Sequence, residues 1–127
     1  MKRASWFSRR VVDPANSAAW FAMDALWLAG LARPAYVASA LTLASGATLL
    51  FLDRKRAERL DDDLALNAWM WMNALWAISD LGKLPSLRYA AMGVAGLGAV
   101  LLVNAIRPSK QSRGRIRRLK KLRARAR

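Results

Sequence analysis

Charge is distributed along this chain in blocks, and the gaps between the blocks limit what it can fold into. Residues 14–32 hold a single charged side chain, Asp24, while residues 34–52, 64–79 and 89–106 hold none. Each run is 16 to 19 residues long, close to the roughly 20 residues of helix that cross a bilayer core. A soluble four-helix protein needs a polar stripe on every helix, and Ala40 to Phe51 offers none. Hydrophobic residues make up 55% of the chain and charged ones 24%, and those figures coexist because the two kinds are segregated. The expected fold is an all-α integral membrane protein with four transmembrane helices.

The chain also writes one stretch twice. Ala19-Trp-Phe-Ala-Met-Asp-Ala-Leu-Trp27 returns 49 residues later as Ala68-Trp-Met-Trp-Met-Asn-Ala-Leu-Trp76, and Asp13 is matched at the same offset by Asp62. Each copy lies in one apolar run and is followed by a second. The pattern predicts a tandem-duplicated helical hairpin. Its parts are a basic segment 1–13, a first hairpin 14–52, a charged connector 53–63, a second hairpin 64–107 and a polybasic tail 108–127. Asp13-Pro14 reads as the first helix start and Asp63 as the third, with Asp as N-cap. Arg33-Pro34 reads as the end of the first helix, while Gly82 and Pro85 separate the third from the fourth.

Lys and Arg fix the expected topology. Residues 1–13 carry 4, the connector 4 and residues 107–127 another 11, whereas the two hairpin turns hold only Arg33, Lys83 and Arg88. All three basic segments share one side only if the chain crosses four times. By the positive-inside rule both termini are then cytoplasmic, in a bacterial-type inner membrane. The hairpins become parallel repeats about a pseudo-twofold axis along the membrane normal. A basic start followed by an apolar run also suits a cleaved signal peptide, but cleavage would orphan one half of the repeat.

The tail has no acidic residue, and Ile116, Leu119 and Leu122 recur every three positions. Arg113, Arg115, Arg117, Arg118, Lys120, Lys121 and Arg123 are the candidates for contact with anionic lipid headgroups. An acidic protein partner is a second reading. The charge would suit nucleic acid phosphates, yet no aromatic stands in the tail to stack on bases, so nucleic acid is not the expected partner.

Asp24 and Asn73 fall about 15 Å into their runs at 1.5 Å per residue, near the bilayer midplane. Trp20 and Trp27 share a helical face with Asp24, and Trp69 and Trp76 share one with Asn73 and Asp80. Their indole N–H groups need acceptors at that depth. One reading pairs Asp24 with Asn73 as an interhelical hydrogen bond. The other gives Asp24 a proton or cation to carry. The second and fourth helices present small residues at four-residue spacing, Ala38, Thr42 and Gly46 in one and Ala91, Ala95 and Ala99 in the other, which suits close helix packing.

Catalytic arrangements are absent from the pattern. The chain has neither cysteine nor histidine, no phosphate-binding glycine loop and no paired carboxylates at a membrane surface. Asp61 to Asp63 point in different directions from a helix start, and scattered methionines serve as membrane filler rather than a copper site. No enzyme activity, metal or cofactor is expected. The expected role is an interaction module: an accessory, stabilising or immunity-type subunit packing against other membrane proteins or itself. The alternative is a small oligomeric transporter or channel using Asp24.

Overall fold

The structure, a computed structural model, describes residues 7–107 apart from the side chains of residues 57–59. The described residues form four helices and no strand: α1 (Arg9–Leu28), α2 (Ala32–Asp53), α3 (Ala57–Leu81) and α4 (Ser86–Ile106). Residues 110–127, with the expected lipid-contacting arginines and lysines, lie outside the described residues.

The helix starts differ from expectation, for reasons local sequence does not carry. α1 begins four residues before Asp13, at Arg9, with Ser8 in the N-cap position. The Ser8 carbonyl accepts the amides of Val11 and Val12. The added turn is held from outside, because the Arg9 guanidinium pairs with the buried Asp53 at the far end of α2. Pro14 therefore sits inside α1 and removes one backbone donor there. Arg33-Pro34 opens α2 rather than closing α1, since proline is tolerated in a first turn. α3 begins at Ala57, so Asp63 is no cap but a buried residue within the helix. The charged connector shrinks to Arg54, Lys55 and Arg56.

The ends of α1 and α3 are alike. Gly30 (φ 71°) lies in the left-handed region, its amide bonding the Trp27 carbonyl at 2.9 Å while Leu31 reaches back to Leu26 at 3.0 Å. This is the Schellman closure that a left-handed residue permits. Lys83 (φ 52°) does the same after α3, with Leu84 bonded to the Ser79 carbonyl at 2.9 Å and Lys83 to that of Asp80 at 3.4 Å. Gly30 and Lys83 are 53 positions apart, against 49 for the repeated stretch. The second hairpin therefore contains one additional helical turn before its bend. Beyond that bend the repeat continues at the longer offset, with Tyr36 matching Tyr89 and Ala38 matching Ala91.

Helix α1 packs on α2, α2 on α3 and α3 on α4; α1 meets α3 over a smaller area, and α4 touches neither α1 nor α2. An exact twofold between hairpins would lay α4 on α1 as α2 lies on α3. That closure is not formed, and the helices make an open row instead of the expected closed four-helix arrangement. Of the four, α2 and α4 are long and apolar enough to cross a membrane, with mean hydropathies of 1.7 and 1.9. The expectation was four such helices. α1 and α3 fall short because they carry charged first turns, Asn16 and Asp24 in one, and Asn67 and Asn73 in the other.

Burial runs opposite to that of a soluble domain. The interior is mostly small or polar: Ala35, Ala38, Ala74, Ala77 and Ala91, with Ser39, Thr42, Asn16 and Asn67, and with Met23, Met70, Leu49 and Val12 as the larger apolar members. Met23, Ala38 and Ala74 form a central cluster covered by Trp20, Leu26 and Leu43. The large apolar side chains point outward, among them Phe21 at 77% exposure, Leu28 at 84% and Ile106 at 73%.

Candidate functional site

The polar groups inside the row fall into three places. The deepest is where α1, α2 and α3 meet. The Asn16 amide donates to the Thr42 carbonyl at 2.9 Å and to Ser45 Oγ at 2.8 Å, and lies 3.4 Å from Met70 Sδ. The Asn67 amide donates to the Asp63 carbonyl at 3.0 Å and to that of Gly46 at 3.3 Å. Asn16 ties α1 to α2, and Asn67 ties α3 to α2. Gly46 is what lets them in. A Cβ there would stand 2.7 Å from Met70 Cε and 2.9 Å from Asn67 Oδ1, so any side chain at this position would push the ends of Met70 and Asn67 aside. Thr42 and Ser39 return their hydroxyls to their own helix, at 2.8 Å from the carbonyls of Ala38 and Ala35. Donors in this node are satisfied, as a water-poor interior requires. It is a structural knot, not a ligand site.

The second place is Asp24. It lies half-buried, four residues before the end of α1, which is about 6 Å from the hairpin bend and not at the midpoint. Trp20 hydrogen-bonds its carboxyl. The other oxygen, Oδ1, is buried without a hydrogen-bond partner. No hydrogen bond joins Asp24 to Asn73, which is half-buried on α3. Where α1 and α3 meet, over a smaller area than α1 meets α2, it is the neighbouring Met23 and Ala74 that pack together.

The third place sits at the bend of the second hairpin, beyond the charge-free run 64–79. Arg88 Nη2 donates to Asp80 Oδ1 at 2.7 Å, and Trp27 and Trp76 also hydrogen-bond this carboxylate. Their donation, led by that of Arg88, holds the Asp80 carboxyl below its ordinary range. The Arg88 guanidinium stands 5.7 Å from the centre of the Trp76 ring, within cation–π reach. Trp27, expected beside Asp24, and Trp76, expected on the face of Asn73 and Asp80, thus both meet Asp80. Trp69 takes a different position, about half exposed on the flank of α3.

The expected small-residue faces divide as well. Ala38, Thr42, Gly46 and Ala91 are buried, whereas Ala95 is half-buried and Ala99 exposed. Ala95 and Ala99 line an apolar groove of about 210 Å³ between α3 and α4, together with Ala65, Trp69, Gly98 and Leu102, and Asp62 stands at one end. Sequence reasoning did not single out Asn16, Asn67 or the Arg9–Asp53 pair. The signal for the two asparagines was a lone amide within an apolar run, the same signal that marked Asn73. Among the described residues no cluster of acidic side chains is arranged to hold a metal ion. Comparison of the chain with protein-family models, with curated proteins and with solved structures gives no match.

Proposed function

We propose that this chain is a small polytopic inner-membrane interaction module, an accessory or stabilising subunit that works by packing its helices against membrane partners. In this reading all four helices cross the bilayer with both termini in the cytoplasm. The observation that carries it is the inverted burial: alanine, serine, threonine and asparagine inside, leucine, valine, phenylalanine and tryptophan outside. Without lipid or protein around it, such a surface has no favourable solvent. Helix α4 adds to the argument. Only Ala91 of its 21 residues is buried, so the apolar surface it turns away from α3 is left for lipid or another protein.

Reporter fusions test the placement. Fusions after residue 57 and at the C-terminus are expected to read cytoplasmic, and fusions beside Arg33 and Lys83 periplasmic. A periplasmic C-terminus would overturn the reading. Purification from native membranes then identifies what co-elutes. A second reading, a small oligomeric transporter, is favoured by one observation, the buried and unpartnered Oδ1 of Asp24. Against it, Asn16, Thr42 and Asn67 all spend their donors within the protein, leaving no ladder of free polar groups through the row.

A further inference from the structure

The groove between α3 and α4 is the counterpart, in the second hairpin, of the node where α3 itself docks on the first. The match goes residue by residue. Asn16 corresponds to Ala65 and Trp20 to Trp69 at the 49-residue offset; Thr42, Ser45, Gly46 and Leu49 correspond to Ala95, Gly98, Ala99 and Leu102 at the 53-residue offset. The contacts agree. Asn16 meets Ser45 across α1 and α2, and the matching Gly98 lies against α3, where an added Cβ would stand 3.9 Å from the Ala65 carbonyl oxygen and 3.1 Å from Ala68 Cβ. In the first hairpin this surface is filled by α3. In the second it is empty.

The docking face is duplicated too. α3 enters the first hairpin through Asn67, Met70, Ala74 and Ala77, all buried. Their counterparts on α1 are Ala18, Phe21, Ala25 and Leu28, one face of the helix, and all four are exposed. The chain therefore carries one unused copy of the knob face and one unused copy of the receptor. They cannot meet within a molecule, because α1 and α4 do not touch. We propose that they meet between molecules: the Ala18–Phe21–Ala25 face of α1 in one copy docks in the α3–α4 groove of the next, head to tail. This rests on the membrane reading above and names the partner as a second copy of this chain.

Size and charge fit. Phe21 replaces Met70 as the knob; Ala99 adds the Cβ that Gly46 lacks, while Ala95 and Gly98 in place of Thr42 and Ser45, and Ala18 in place of Asn67, give back room beside it. α1 and α3 run in the same direction, so the start of an incoming α1, with exposed Arg10, comes to the end of the groove marked by exposed Asp61 and Asp62. The contact is heterologous, since the two surfaces differ, and it builds a ring or a chain of copies according to whether the rotation closes.

The protein contains no cysteine, which makes the test direct. Phe21→Cys is placed in one copy and Ala99→Cys in a second, differently tagged copy, and membranes from co-expressing cells are oxidised with copper phenanthroline. A disulfide joining the two tags and requiring both cysteines is the expected result. Adding Ala95→Phe to the Ala99→Cys copy fills the groove and is expected to cut the yield on the order of tenfold at unchanged helix content and membrane level. An undiminished yield overturns the proposal, as does a dominant Phe21→Cys self-cross-link, which reports a symmetric face-to-face dimer. A correctly inserted chain that stays monomeric in nanodiscs also overturns it and leaves the membrane reading standing. A chain absent from membranes removes that reading instead.

Discussion

The two hairpins come from one repeated pattern and have become different objects. In the first, α1 and α2 are joined by Asn16 to Thr42 and Ser45, locked at their ends by Arg9 and Asp53, and covered by α3. In the second, the same positions read Ala65, Ala95, Gly98 and, at the place of Asp53, Ile106, which is 73% exposed. No side-chain hydrogen bond between α3 and α4 lies near the groove among the described residues; the pair that does link them, Asp80 and Arg88, is at the bend. The contrast teaches that one repeated helix-packing pattern can serve two ends. Polar residues and an ion pair close the interior of the first hairpin, and alanine and glycine leave the matching surface of the second accessible.

The largest test compares the two floors. Gly46→Leu drives a side chain into Met70 and Asn67 and is expected to cost about 3 kcal/mol by overpacking, measured by denaturant titration in micelles or bicelles. Ala99→Leu, at the matching position, projects into the open groove and is expected to leave monomer stability nearly unchanged. Equal losses would erase the distinction between hairpins. The next test is the lock. Asp53→Ala leaves Arg9 without its buried partner, an expected loss of about 2 to 3 kcal/mol, below the roughly 3–5 of a fully buried pair because Arg9 is partly exposed and keeps Asp13. Ile106→Ala, its counterpart, is expected to be almost silent.

A smaller effect separates Asp24 from Asn73. Asp24→Asn preserves an acceptor for Trp20 and copies what the second hairpin already has, so protein level and function are expected to stay near normal. Asp24→Leu removes the acceptor and is expected to cost roughly 0.6 to 2 kcal/mol, the range of interhelical and intramembrane hydrogen bonds. A well-folded but inactive Asp24→Asn protein would promote the transporter. The smallest test exchanges the bends. Lys83→Gly relieves a left-handed non-glycine residue and is expected to gain up to about 1 kcal/mol, whereas Gly30→Ala is expected to lose about the same. Matching signs at both bends would show that the closures are not equivalent.

Much of this arrangement was legible in the order of residues. Segregated charge marked four helices, and the Ala38–Thr42–Gly46 spacing marked the close face of α2. What stayed hidden depends on distant partners. No local signal moves the start of α1 from Asp13 back to Arg9, because the reason is Asp53, 44 residues away. The expected Asp24–Asn73 pair failed for a related reason. Identity of sequence position implies equal depth only if the hairpins are equally long and symmetrically placed, and an extra turn with an open row satisfies neither condition. Asn16 and Asn67 lay outside the repeated nine residues, so the repeat drew attention away from the side chains that hold the helices together.

The extra turn in α3 has a bearing on the surroundings of the protein. Four residues lengthen α3 over α1 by about 6 Å at 1.5 Å per residue, while α4 is no longer than α2. In a bilayer, the surroundings proposed above, one local thickness would not match both α1 and α3. It would thin beside the shorter helix, thicken beside the longer one, or be met by a tilted helix, at fractions of a kcal/mol per ångström of mismatch. In the head-to-tail contact proposed above a short α1 lies beside a long α3, so lipid chain length would be an independent control over how readily copies gather.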